Sequence, residues 1–101
     1  METIIVNGKT YYAKNESEDY RICILQRGWT MVGKFYREGM DCELHDAAVL
    51  RKWGTSEGLG ELHDGPTKET KLDKCNGVVK FDWLTVVATI QVNGDKWKNV
   101  L

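Results

Sequence analysis

Apolar and polar positions alternate with period two in four segments of this chain, the signature of strands that bury one face. Ile4-Ile5-Val6 and Lys9-Thr10-Tyr11-Tyr12 flank Asn7-Gly8, a pair that readily supplies the positive φ angles of a type I′ turn, so residues 1–14 read as an N-terminal hairpin. Lys14 to Asp19 is polar and reads as a loop. Tyr20, Ile22 and Ile24 then alternate with Arg21 and Cys23, and Leu25 extends that strand. In the next run Trp29, Met31, Gly33 and Phe35 fall on one side and Thr30, Val32, Lys34 and Tyr36 on the other. A turn at Glu38-Gly39 leads to Met40, Cys42 and Leu44 alternating with Asp41, Glu43 and His45, which closes a second hairpin with a charged outer face. Residues 47–53 fit two structures: a two-turn helix with Asp46 as N-cap and Gly54 after its end, or a strand bent at Asp46. Strands on both sides favour the strand.

Residues 54–76 hold four of the ten glycines and the single proline, with few apolar anchors, and read as a polar, functional loop. Within it Glu57 to His63 fits a short helical turn with Ser56 as N-cap. Gly77 to Phe81 and Trp83 to Val92 return to β-rich composition, the latter reading as a central strand. Asn93-Gly94-Asp95 ends it, and Lys96 to Leu101 is a tail anchored by Trp97. The expected fold is mainly β, a small antiparallel sandwich or open barrel of six or seven strands with one or two short helical turns. Its expected core comprises Ile22, Ile24, Trp29, Met31, Phe35, Leu44, Val49, Trp83, Leu84, Val86, Ala88 and Ile90.

With 101 residues the chain fits one domain, spanning 1–101. A domain this short buries only about 60–65% of its unfolded surface, so a homodimer or higher homo-oligomer is expected, paired through strand edges. Fourteen Lys plus Arg against fifteen Asp plus Glu leave a formal charge of −1, which argues against general nucleic-acid binding and against mimicry of a phosphate backbone. No secretory leader and no membrane-length apolar run is legible, so a cytoplasmic location and no membrane partner are expected. Cys23, Cys42 and Cys75 are expected as free thiols.

No catalytic residue, metal or cofactor emerges. Glu-Leu-His-Asp occurs twice, at 43–46 and 61–64, and reads as coincidence, since the chain has only two histidines. A zinc site from Cys42, His45, His63 and Cys75 is disfavoured because alternation puts Cys42 and His45 on opposite strand faces. The glycine-flanked serine turn of hydrolases and the glycine-rich phosphate loops are missing, so an enzyme is not expected. The richest window runs from Arg51 to Lys71. Arg51 could pair with a phosphate, Trp53 stack on a base, Thr55 and Ser56 donate hydrogen bonds, and Thr67, Lys68 and Thr70 close over the ligand. The competing structural reading has Trp53 packed on the core, the hydroxyls capping turns and the lysines solvated.

Arg27-Gly28-Trp29, Val32-Gly33, Arg37-Glu38-Gly39, Arg51-Lys52-Trp53-Gly54-Thr55, Gly58-Leu59-Gly60-Glu61-Leu62, Gly65-Pro66-Thr67 and Leu72-Asp73 together resemble a family of small proteins of tailed bacteriophages and prophages, over roughly residues 26–90. The resemblance implies a phage or prophage origin and an accessory role in host takeover or in countering host defence. By analogy with small β-rich phage proteins that sequester nucleotide immune signals, the expected function is binding and sequestration of a small phosphate-bearing ligand, a cyclic nucleotide, in the host cytoplasm. The alternatives are an inhibitor acting by protein–protein binding, as anti-CRISPR proteins do, and a minor structural component of the virion.

Overall fold

The computed structural model describes residues 19–101 in full and, before them, the strands Thr3–Val6 and Lys9–Tyr12. These two, β1 and β2, pair antiparallel as a sheet of their own with Val6 opposite Lys9. The Asn7-Gly8 turn lies outside the described residues. The remaining strands are β3 (Tyr20–Leu25), β4 (Thr30–Glu38), β5 (Asp41–Lys52), β6 (Lys71–Lys74), β7 (Val79–Asp82) and β8 (Val86–Gln91). They form one unclosed antiparallel sheet in the order β6-β5-β4-β3-β8, with β7 also paired to β5. Among the described residues there are also three 3-10 turns (Gln26–Gly28, Leu59–Asp64 and Trp83–Thr85) and one short helix, α1 (Gly94–Trp97). The protein is thus mainly β, with one strand more than expected in the 54–76 loop, β6.

Residues 47–52 continue β5 as a strand, and Asp46 is indeed its bend. The β4–β5 register shifts between Val32 and Lys34, where Gly33 faces the extra residue of a bulge, and Asp46 takes φ 51° to accommodate it. Gly33 is required here: a Cβ would stand 2.9 Å from the His45 carbonyl oxygen and 3.1 Å from the Ala47 Cα. The bulge marks where the long hairpin folds back. Asp82 pairs with Asp41 at the hairpin tip, whereas Val86 pairs with Leu25 at the opposite end of the sheet. On a flat sheet those levels would be about 27 Å apart, yet four residue steps reach at most ~14 Å. The Asp82 side chain starts the 83–85 turn that makes this crossing, accepting from the Leu84 amide at 2.8 Å.

Folding back gives the sheet two apolar layers. On one side Tyr20, Ile22, Val32, Ala48 and Leu50 are covered by Leu59 and Leu62 of the 59–64 turn and by Val92 and Trp97. On the other, Cys23, Leu25, Met31, Phe35, Cys42, Leu44 and Ala47 enclose a second core, flanked by the half-buried Val79, Phe81, Trp83 and Val86. Arg37 stacks on the Trp83 ring, 3.9 Å from its centroid. Of the expected core residues Trp29, Leu84 and Ala88 are exposed. Trp29 precedes β4 rather than opening it, Leu84 lies on the crossing turn, and Ala88 is on an edge strand, so the strand parity that predicted their burial does not govern them.

Candidate functional site

The Arg51–Thr70 window forms one corner of the sheet. Beyond β5, Trp53 and Gly54 pass so close to the Glu69–Thr70 peptide that a Cβ on Gly54 would lie 2.4–2.7 Å from its atoms, and Gly54 has φ 69°. The Thr67 hydroxyl donates to the Gly54 carbonyl at 2.6 Å and the Thr70 hydroxyl to the Trp53 carbonyl at 2.7 Å. The Thr67 and Glu69 amides in turn donate to the Thr70 and Thr67 hydroxyl oxygens. Each hydroxyl carries one proton, and both are aimed at the chain's own carbonyls. Arg51 is the extra residue at a register shift against β6, and its Nε lies 3.0–3.1 Å from both Asp73 carboxylate oxygens. Lys52 stands 3.9 Å from the Glu69 carboxylate.

The glycine-rich segment does hold an anion, and that anion is Glu61. Its Oε2 accepts from the Ser56 and Glu57 amides at 2.9 and 3.0 Å, so the chain's own carboxylate occupies the backbone donors of this turn. Ser56 is not the cap of the following turn; Gly58 precedes it, with φ 100°. The structure therefore brings Arg51, Trp53, Thr67, Lys68 and Thr70 to one corner and places Ser56 in the neighbouring turn with Glu61. Trp53 remains exposed, Lys68 is exposed and Thr55 is half-buried. The polar ties of this corner hold its shape. Thr67→Val or Thr70→Val is expected to lower stability by about 1–2 kcal/mol each, because each leaves a carbonyl and an amide of the turn without their partner; urea unfolding measures it.

The two Glu-Leu-His-Asp segments adopt unrelated structures. At 43–46 the sequence is strand, with His45 Nε2 2.7 Å from Glu43; at 61–64 it is a 3-10 turn, with His63 Nδ1 3.1 Å from Asp64. Among the described residues no three His, Cys, Asp or Glu side chains gather as a metal site. Cys23 and Cys42 are buried free thiols, and burial pushes Cys23 up to about 12 and raises Cys42, so both stay protonated at neutral pH.

Sequence reading missed the exposed edge at β8. Trp83 to Gly94 carries no charged side chain in a chain that is 29% charged, which is why it reads as a central strand, yet β8 ends the sheet. Its ladder phase follows from two bonds. The Val92 amide donates to the Tyr20 carbonyl at 3.0 Å, and the Phe35 amide to the Asp19 carbonyl at 2.8 Å. Alternation then gives Ile90 and Ala88 to β3 and turns the backbone N–H and C=O of Thr89 and Gln91 outward. Among the described residues no strand pairs with that side. At the start of β8 stand two exposed apolar side chains, Leu84 and Val87, the latter at a register shift opposite β3; a third, Trp29, lies across β3, where its carbonyl accepts from the Leu25 amide at 2.7 Å. The other outer strands differ: β6 reads Lys-Leu-Asp-Lys and β7 Val-Lys-Phe-Asp. No helix of the described residues is long and apolar enough to cross a membrane. No family model, no curated protein and no solved structure matches this chain.

Proposed function

We propose that this chain is a non-catalytic binding protein that takes up a strand of a polypeptide along β8. The observation that carries the reading is an edge strand of central-strand composition, with outward backbone groups at Thr89 and Gln91 and exposed Leu84 and Val87 at its start. Edge strands are ordinarily protected by charge, proline or brevity, and β6 and β7 follow that rule while β8 does not. Main-chain bonds supply affinity in strand addition, and flanking apolar side chains supply selectivity. The resemblance to small phage proteins fits an accessory role of this kind, inhibition by protein binding. Photo-crosslinking from a reactive residue at Val87 is the test, with the attached polypeptide identified and its binding reproduced from purified components. Cross-links are expected from Val87 and not from Lys80 on β7; equal yield from both, or none from Val87, would sink the reading.

The second reading is the phosphate-bearing ligand, supported by the exposed Trp53 beside Lys52 and Lys68. Such a ligand would compete with Asp73 for Arg51 and with Glu61 for the Ser56 amide. Calorimetry against cyclic di- and trinucleotides decides it: binding tighter than about 100 μM that Trp53→Ala weakens would favour this corner over β8.

A further inference from the structure

We infer that the polypeptide taken up along β8 is a second copy of this chain, joined edge to edge as an antiparallel, two-fold dimer; the inference rests on the open-edge reading above. A two-fold axis places every residue of the strand opposite a residue of the same strand, so any charge on it would meet its own kind or a neighbour of fixed sign. β8 carries none. β6 and β7, by contrast, carry three and two charges in four residues, the composition of a protected edge.

The hydrogen-bond phase selects the register. With Thr89 opposite Gln91 of the second copy, and Gln91 opposite Thr89, both residues exchange their outward N–H and C=O groups. Ile90 then faces its counterpart in the close, non-hydrogen-bonded position. It is half-buried against the layer containing Ile22 and Trp97, so that apolar layer would run on into the second copy. The pairing stops before the register shift at Val87, which limits the ladder to the far half of β8. An interface this short falls at the low end of stable association, so a dissociable dimer with Kd on the order of micromolar is expected.

Sedimentation equilibrium of the full chain between 1 and 200 μM tests this. The parent should shift from 11.6 kDa towards twice that mass as concentration rises. Thr89→Pro removes an outward N–H that β3 does not use, and Gln91→Lys adds the charge typical of a protected edge at an exposed position. Each should weaken dimerisation at least tenfold, and Gln91→Lys should leave the circular dichroism spectrum and melting temperature of the dilute monomer unchanged, which keeps the test valid if the proline variant unfolds. A parent that stays at 11.6 kDa throughout, or a dimer indifferent to Gln91→Lys, overturns self-pairing. If Val87 nevertheless cross-links an unrelated polypeptide, the strand-uptake reading survives without the dimer; if it cross-links nothing, both fall.

Discussion

Trp97→Ala is expected to remove most of the stability of this domain. The indole is fully buried against the sheet, and its Nε1 donates to the Leu62 carbonyl at 2.8 Å. Truncating a buried tryptophan costs about 3–5 kcal/mol, and the freed carbonyl adds about 1 kcal/mol or more. A domain of this length holds only roughly 5–15 kcal/mol in total. The same side chain joins three elements, since it seats α1 on the sheet and ties it to the 59–64 turn. Guanidinium unfolding should show a transition moved to much lower denaturant or already under way in buffer. Trp97→Phe should retain most of the packing and lose mainly the hydrogen bond, about 1–3 kcal/mol. Equal midpoints for the parent and the alanine variant would refute this account of the first core layer.

Gly54→Ala should be the most damaging single-methyl addition at the polar corner. Alanine would be held at φ 69°, which costs about 1–2 kcal/mol, and its Cβ would strike the Glu69–Thr70 backbone at 2.4–2.7 Å. Relief requires the Thr67–Thr70 turn to move away, which breaks the hydroxyl bonds to the Trp53 and Gly54 carbonyls at about 1 kcal/mol each. The expected total is about 3–4 kcal/mol. Amide exchange should show the loss first in β6, which this turn leads into, while β3 and β4 stay protected. Uniform acceleration across the whole sheet would contradict the local account.

Strand spacing made β3, β4 and β5 legible because their alternation is set by the sheet they bury. The bend at Asp46 was visible as well, since Asp tolerates the left-handed region better than most residues. β6 escaped notice because Lys71-Leu72-Asp73-Lys74 has one apolar side chain; it is a strand because β5 offers it a partner, and no local pattern encodes that. The density of glycines, hydroxyls and cations around Trp53 marks the window as rich in hydrogen-bond donors. That those donors turn to Glu61 and to the Trp53 and Gly54 carbonyls depends on tertiary placement. Position within the sheet misled most at Trp83 to Val92. Composition describes how much apolar surface a strand expects to bury, and it is silent on whether the covering chain is its own.

The way β8 and Trp97 close the two layers also sets the order in which this domain can form. Ile22 pairs with Ile90, 68 positions further on, and Leu44 with Val79, 35 positions on, so both layers are completed by segments far downstream of the strands they cover. A nascent chain that has produced only β3, β4 and β5 exposes Ile22 and Val32 on one side of a three-stranded sheet and Phe35 and Leu44 on the other, before the segments that cover them exist. Such long-range closure places folding in the slow, high-contact-order regime, where partly made sheets are prone to pair with one another.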